Sequence, residues 1–311
     1  MTELSKKKSS YDIIIIGGGP AGLTAGIYTA RGKLSSLLIE RGLIGGLITE
    51  TELVENFPGF PQGVSGLELG ELMHQQAQKY GLPILVAEVT GLKLKGTQKI
   101  VETTAGNFSA RAVIIASGAE RIKLNIPGEE KFSGRGVSYC ATCDGALFKD
   151  LPVAVAGGGD VGLTEAFHLA KFARRVTVIE LLPKLGASRI MQDRAVAEAK
   201  IEFLLNTRIE AIEGEDLVQR LRLLQVKTGR KSTLETSAVF VAIGVKPNTS
   251  FLKNILPLDA SGAILTNNKL ETAIPGIFAV GDVRASSARQ AVVAAGDGAT
   301  AAIYAEKFLT G

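Results

Sequence analysis

Residues 11–40 read YDIIIIGGGPAGLTAGIYTARGKLSSLLIE, and residues 151–180 read LPVAVAGGGDVGLTEAFHLAKFARRVTVIE. Gly17, Gly19, Gly22 and Glu40 of the first stretch recur as Gly157, Gly159, Gly162 and Glu180 of the second, at a constant spacing of 140 residues. Each stretch runs from a short apolar segment into a glycine loop, a helical pattern, a second apolar segment and a terminal acid. That order spells a βαβ unit with a dinucleotide fingerprint. The first glycine permits the tight turn out of the strand. The second lets a pyrophosphate approach the helix N-terminus, where the dipole favours negative charge. The third lets helix and strand pack closely, and the acid accepts hydrogen bonds from a ribose diol. One G-x-G-x-x-G arises often by chance; two copies with the acid in register do not. The fold class is α/β, with two Rossmann-like dinucleotide-binding domains.

The C-terminal stretch IPGIFAVGDVRASSARQAVVAAGDGATAAIYAEKF returns to the same style. An apolar strand, Ile277 to Val280, ends at Gly281-Asp282, and a small-residue helix begins at Gln290. An aspartate at a strand end can bind a ribityl hydroxyl, and a helix N-terminus nearby can stabilise charge on a flavin edge. By itself the stretch also reads as an ordinary βα unit.

At 311 residues, with 46% hydrophobic and 21% charged residues, the chain has the composition of about two globular domains. The net charge of +4 is small and its basic residues are dispersed, apart from Lys6, Lys7 and Lys8, so no nucleic-acid surface is expected. No apolar run reaches the ~20 residues that span a bilayer, and no signal-peptide pattern precedes the glycine loop, so a cytoplasmic protein without a membrane partner is expected. Two cysteines, Cys140 and Cys143, are the whole supply. In a reducing compartment a lone C-x-x-C is a redox or a metal motif. Zinc would need two further ligands, and only His74 and His168 could add nitrogen, both within helical patterns. No metal is therefore expected. A C-x-x-C that opens a helix lowers its thiol pKa and favours the attacking thiolate. Asp144, next to the pair, reads either as a capping residue or as a proton carrier.

With GGGPAGLTAGIYTAR, TELVENFPGFPQGVSG, IIASGAERIKLNIPGEEKFSGRGVSYCATCDG and GIFAVGDVRASSARQAVVAAGDGATAA, the chain resembles the low-molecular-weight, bacterial-type thioredoxin reductases over nearly its whole length. CATCDG just before the second glycine loop is the most specific match. The resemblance implies an FAD domain in two parts, residues 1–117 and 246–311, with a pyridine-nucleotide-type domain carrying the C-x-x-C, 118–245, inserted between them. It implies that Cys143 lies against the flavin, that Cys140 attacks the substrate disulfide, and that Asp144 is the acid/base. It places FAD against Gly17, Gly19, Pro20, Ala21, Gly22, Glu40, Gly45, Gly46, Leu47, Asn56, Ala116, Gly281, Asp282, Arg289, Gln290 and Ala291. It further implies a homodimer, a thioredoxin-like partner, and a domain rotation hinged near Ser117-Gly118 and Gly244.

The chain departs from that family at its second loop. The usual H-R-R-x-x-x-R stretch that grips the 2′-phosphate of NADPH is replaced by IELLPKLGASR, and Glu180 would repel such a phosphate. NADPH is therefore the disfavoured donor. NADH at Gly157, Gly159, Gly162 and Glu180, or a reduced ferredoxin-like protein beside a relic site, stay open, as does rescue of NADPH by Lys184 and Arg189. Leu47 stands where the family has Gln. On sequence alone, a dithiol oxidase that hands electrons to oxygen and a redox-sensing flavoprotein without turnover also remain open uses of the same parts.

Overall fold

The computed structural model describes residues 9–51, 53–252 and 255–311, with the side chain of Cys143 outside that description; the Lys6–Lys8 tail also lies outside it. The chain divides into two compact units. One comprises the segments up to Glu120 and from Lys246 onward; the other is Arg121–Val245.

The first unit opens with β1 (Ser10–Ile16), α1 (Pro20–Arg31) and β2 (Ser36–Glu40). After α2 (Gly66–Lys79) come β3 (Ile84–Val86), β4 (Val89–Lys95), β5 (Gln98–Thr103) and β6 (Gly106–Ile115). Strand order is β3-β2-β1-β6-β5-β4, parallel from β3 to β6 and antiparallel beyond. The run of four isoleucines in β1 follows from this central place. Ile13 and Ile15 pack under the helices, while Ile14 and Ile16 pack against the opposite layer with Val101 and Leu252. A parallel strand covered on both faces reads as continuous apolar sequence rather than alternation.

The chain leaves this unit through β7 (Ala119–Arg121) and returns through β16 (Val245–Pro247), and these two crossings pair with each other. Between them lie β8 (Val137–Ser138), α3 (Ala141–Asp144), β9 (Pro152–Ala156), α4 (Asp160–Ala170), β10 (Arg175–Ile179) and α5 (Arg189–Ala197). There follow β11 (Ile201–Leu204), β12 (Thr207–Gly214), β13 (Val218–Gln225), β14 (Lys231–Glu235) and β15 (Ala238–Val241). A parallel sheet of order β11-β10-β9-β15-β8 carries helices on one face and the antiparallel β12-β13-β14 layer on the other. Finally β17 (Ile277–Ala279) pairs with β6 in the first unit, and α6 (Ala291–Thr310) closes the chain.

The repeat is visible in register. Ile16 pairs with Ile39 in the first unit, and their counterparts Ala156 and Ile179 pair in the second. Each unit is a Rossmann-like βαβ core, the α/β class expected from the two glycine loops. The divisions fall at Glu120/Arg121 and Val245/Lys246, against expected boundaries of 117/118 and 245/246.

Candidate active site

The first loop is built for close approach. Gly17 has φ +109°, and a Cβ there would stand 2.2 Å from the Ala116 carbonyl oxygen, which no side chain tolerates. A Cβ on Gly22 would stand 1.9 Å from the Gly17 oxygen, so helix and strand touch backbone to backbone. Gly19 caps α1 without a side-chain hydrogen bond, Pro20 fills the first helical position, and no acid sits in the first turn. Proline has no N–H to lose there, and the free N–H groups behind it form a ready anion site. The Gly45-Gly46 turn folds onto this loop. The Gly45 N–H donates to the Gly18 oxygen at 2.8 Å, and a Cβ on Gly46 would meet the Gly19 Cα at 3.0 Å. Leu47 follows, 38% exposed. Glu40 ends β2 and ties the loop down: its carboxylate accepts the N–H of Gly18 at 2.6 Å and of Gly42 at 2.8 Å. A cavity of about 220 Å³ opens beside it, lined by Gly17, Glu40, Arg41, Ala87 and Phe251 among others.

Gly281 and Asp282 are brought to the same helix. A Cβ on Gly298 would sit 2.1 Å from the Ala21 oxygen, and one on Gly281 would lie 3.2 Å from the Ala21 Cβ, so small residues let α6 press onto α1. Asp282 is partly buried, and desolvation pushes its carboxyl above the ordinary range. Arg284 forks onto Asp297 of α6, Nε to Oδ2 at 2.6 Å and Nη2 to Oδ1 at 3.1 Å, and the Gly281 N–H donates to Oδ2 at 3.0 Å. This pair holds the turn that presents Asp282, and neither residue stands out in the sequence. Asn56 Nδ2 donates to Gln290 Oε1 at 2.9 Å, uniting two expected contact residues 234 positions apart. Arg289 adopts φ +54°, a left-handed conformation uncommon for a residue with a Cβ, two residues before α6 begins at Ala291.

In the second unit, Cys140 follows β8 and is held in a disulfide. Composition leaves it a single candidate partner within the chain, Cys143, whose side chain is not described. The helix expected at this motif is one α turn that passes directly into a 3-10 turn, Gly145–Phe148. So short a helix carries little dipole, and thiolate stabilisation from that source is withdrawn. What surrounds Cys140 instead is a hydrogen-bonded corner. Its N–H donates to Ser138 Oγ at 3.1 Å, and its carbonyl accepts the Asp144 N–H at 3.1 Å. Asp144 is thus neither a bare surface acid nor a cap for a long helix.

The second loop copies the first closely. Gly157 has φ +111°, a Cβ on Gly162 would lie 2.0 Å from the Gly157 oxygen, and Gly159 caps α4. Glu180, 9% exposed, accepts the N–H of Gly158 at 2.7 Å and of Leu182 at 2.8 Å, the same clasp that Glu40 makes. Two features differ. Asp160 replaces Pro20 at the first helical position, and its carboxylate accepts both the N–H and the Oγ–H of Ser188. Leu181 and Leu182 stand 53% and 57% exposed beside Glu180. The repeat offset sets Asp160 opposite Pro20, a signal that could have singled it out in the sequence, and the contact with Ser188 shows what it does. His168 is buried against Phe172, with ring centroids 5.3 Å apart, and His74 lies 3.6 Å from Glu71 on α2. Among the described residues no group of three or more His, Cys, Asp or Glu is placed to hold a metal, and no helix is long and apolar enough to cross a membrane.

The family model for pyridine nucleotide-disulphide oxidoreductases matches residues 11–298. A curated thioredoxin reductase of Bacillus subtilis (strain 168) is 44% identical over 293 residues, 94% of this chain and 92% of that protein. The chain belongs to the low-molecular-weight, bacterial-type thioredoxin reductases. Among solved structures, the thioredoxin reductase of Lactococcus lactis superposes with a TM-score of 0.94 at 42% identity, covering 96% of this chain and 99% of that one. That of T. acidophilum gives 0.94 at 33% identity, covering 98% and 100%. The protein is accordingly a flavoprotein disulfide oxidoreductase, and its family joins a flavin to a pyridine nucleotide. The residues present fit the flavin dinucleotide: an uncapped helix N-terminus with a glycine cradle for the pyrophosphate, a cavity at Glu40, and Asp282 on a turn whose Gly281 N–H is tied to the Arg284–Asp297 pair.

Proposed function

We propose that the chain reduces the disulfide of a thioredoxin-like protein through Cys140 and Cys143, and that its electron donor is not NADPH. Bound FAD, held by the first glycine loop, Glu40, Gly45, Gly46, Asn56 and the Gly281–Ala291 region, supplies the two-electron couple that keeps the cysteine pair reduced. In the reduced pair, the Cys140 thiolate attacks one sulfur of the target disulfide and forms a mixed disulfide, releasing the other sulfur as a thiolate that takes a proton. Cys143 then attacks Cys140, re-forming the internal disulfide and releasing the second target thiol. Asp144 is the proton carrier beside the pair. Thioredoxin-type disulfides sit near about −270 mV, so the pair must be poised close to or below that value for useful flux.

The observation that carries the donor assignment is the Glu180 clasp. On this reading a 2′-phosphate would have to be received beside Glu180, whose carboxylate accepts the N–H groups of Gly158 and Leu182. Asp160 adds a second negative group at the head of α4, and the residues that follow Glu180 are leucines. Juxtaposed like charges of this kind disfavour a ligand by several kcal/mol. A free 2′-hydroxyl would donate to the same carboxylate, which keeps NADH compatible; a reduced ferredoxin-like protein is the other compatible donor.

Anaerobic bleaching of the FAD-loaded protein separates these. With NADPH, NADH and photoreduced ferredoxin offered one at a time, NADPH is expected to bleach the flavin at least ~100-fold more slowly than the true donor, the scale of a few kcal/mol. Rapid bleaching by NADPH would refute the reading of Glu180 and show that Lys184 and Arg189 provide the phosphate site instead.

A further inference from the structure

We infer that Ser138 is a positioning residue for proton exchange at the cysteine pair, holding the Asp144 carboxylate and the Cys140 backbone in one fixed geometry. The inference rests on the reading of Asp144 as the proton carrier.

Ser138 is the second residue of β8, which pairs with the core strand β15, Ser138 lying opposite Phe240. It is 5% exposed, so its hydroxyl must find partners within the protein. Ser138 Oγ donates to Asp144 Oδ2 at 2.6 Å and accepts the Cys140 N–H at 3.1 Å. A weaker contact of 3.3 Å reaches the Cys140 carbonyl. One hydroxyl proton cannot serve two acceptors equally, and the short distance to a charged acceptor assigns it to Asp144. The Asp144 N–H donates to the Cys140 oxygen, which closes the ring of contacts. With that ring closed, the free carboxylate oxygen of Asp144 is aimed rather than left to rotate. The next residue along, Tyr139, is anchored separately. Its hydroxyl donates to Glu129 at 2.7 Å, and Glu129 accepts the N–H groups of Leu124 and Asn125. Burial first, then the bond to Glu129, pushes the Tyr139 phenol well above its ordinary value, so it stays neutral. On α4, His168 lies with its ring against Gly145, and Glu165 of the same helix is paired with Arg121.

A hydroxyl that donates to a carboxylate fixes the direction in which that carboxylate faces, and removing it frees the Asp144 side chain to turn away from Cys140. Ser138→Ala is expected to lower thioredoxin-dependent turnover about tenfold, part of what a positioned acid–base group contributes, with KM for thioredoxin nearly unchanged. Ser138→Thr keeps the hydroxyl and is expected to restore the rate. A double-mutant cycle guards against simple misfolding. In an Asp144→Asn background, Ser138→Ala is expected to add almost no further loss, because the two act as one unit. Additive losses, or a Ser138→Ala enzyme with the parental rate beside an impaired Asp144→Asn enzyme, would overturn the inference alone. An Asp144→Asn enzyme with full activity would overturn the reading of Asp144 as well.

Discussion

Replacing Cys140 with serine is expected to abolish disulfide reduction while leaving the folded, FAD-loaded protein intact. The hydroxyl is a negligible nucleophile toward a disulfide at neutral pH, whereas the thiolate is the attacking species. Loss of an essential nucleophile lowers turnover by ~10³-fold or more. The fold should survive, since Cys140 contributes its N–H and carbonyl to the Ser138–Asp144 corner and serine keeps both. Flavin reduction by the natural donor would then persist with no thioredoxin turnover. Cys143→Ser should behave differently: Cys140 would still attack, and the mixed disulfide with thioredoxin would accumulate because nothing resolves it. Intact-protein mass spectrometry distinguishes the two variants. A Cys140→Ser enzyme with a few per cent of parental turnover, or a trapped complex formed by Cys140→Ser and not by Cys143→Ser, would reverse the assigned roles.

Asp297→Ala is expected to be the most destabilising single substitution around the flavin site. The Arg284 and Asp297 side chains are 15% and 11% exposed, so removing the acid strands a guanidinium largely out of water. It also leaves the Gly281 N–H without its acceptor. Breaking a buried pair in this way costs about 3–5 kcal/mol. In a unit of this size that lowers Tm by roughly 10 °C. FAD retention should fall with it, because the turn that presents Asp282 loses its anchor. Replacing both partners by apolar residues, Arg284→Met with Asp297→Leu, should cost less than Asp297→Ala, since no charge is left unpaired. Thermal unfolding of the three proteins, with visible flavin absorbance after desalting, tests this. A drop of less than about 1 kcal/mol for Asp297→Ala would place the pair among contacts of surface strength.

The glycine loops show how far the linear chain carries such a reading. Gly17, Gly19, Gly22 and Glu40 act on one another within thirty residues, and their spacing is a direct image of a turn, a helix start and a strand end. Their copies at Gly157, Gly159, Gly162 and Glu180 were legible for the same reason. Residue type foretold an acid at each strand end, but not that each carboxylate would clasp two loop N–H groups. The C-x-x-C helix went the other way. The motif suggested a helix N-terminus that would lower a thiol pKa, yet Gly145 follows a single turn and the backbone tightens into 3-10 geometry.

By itself, then, the sequence determined the α/β class and the duplicated βαβ unit, and it pointed to a redox pair at Cys140 and Cys143 and to a missing arginine clamp after β10. All of these rest on residue type at short spacing, where steric and charge rules act locally. Only the tertiary structure decided that Ser138 bonds Asp144, that Arg284 pairs with Asp297 beside Gly281, that Asn56 meets Gln290, and that Asp160 binds Ser188. Those contacts join side chains from different elements, and no periodicity within one element encodes where such side chains meet.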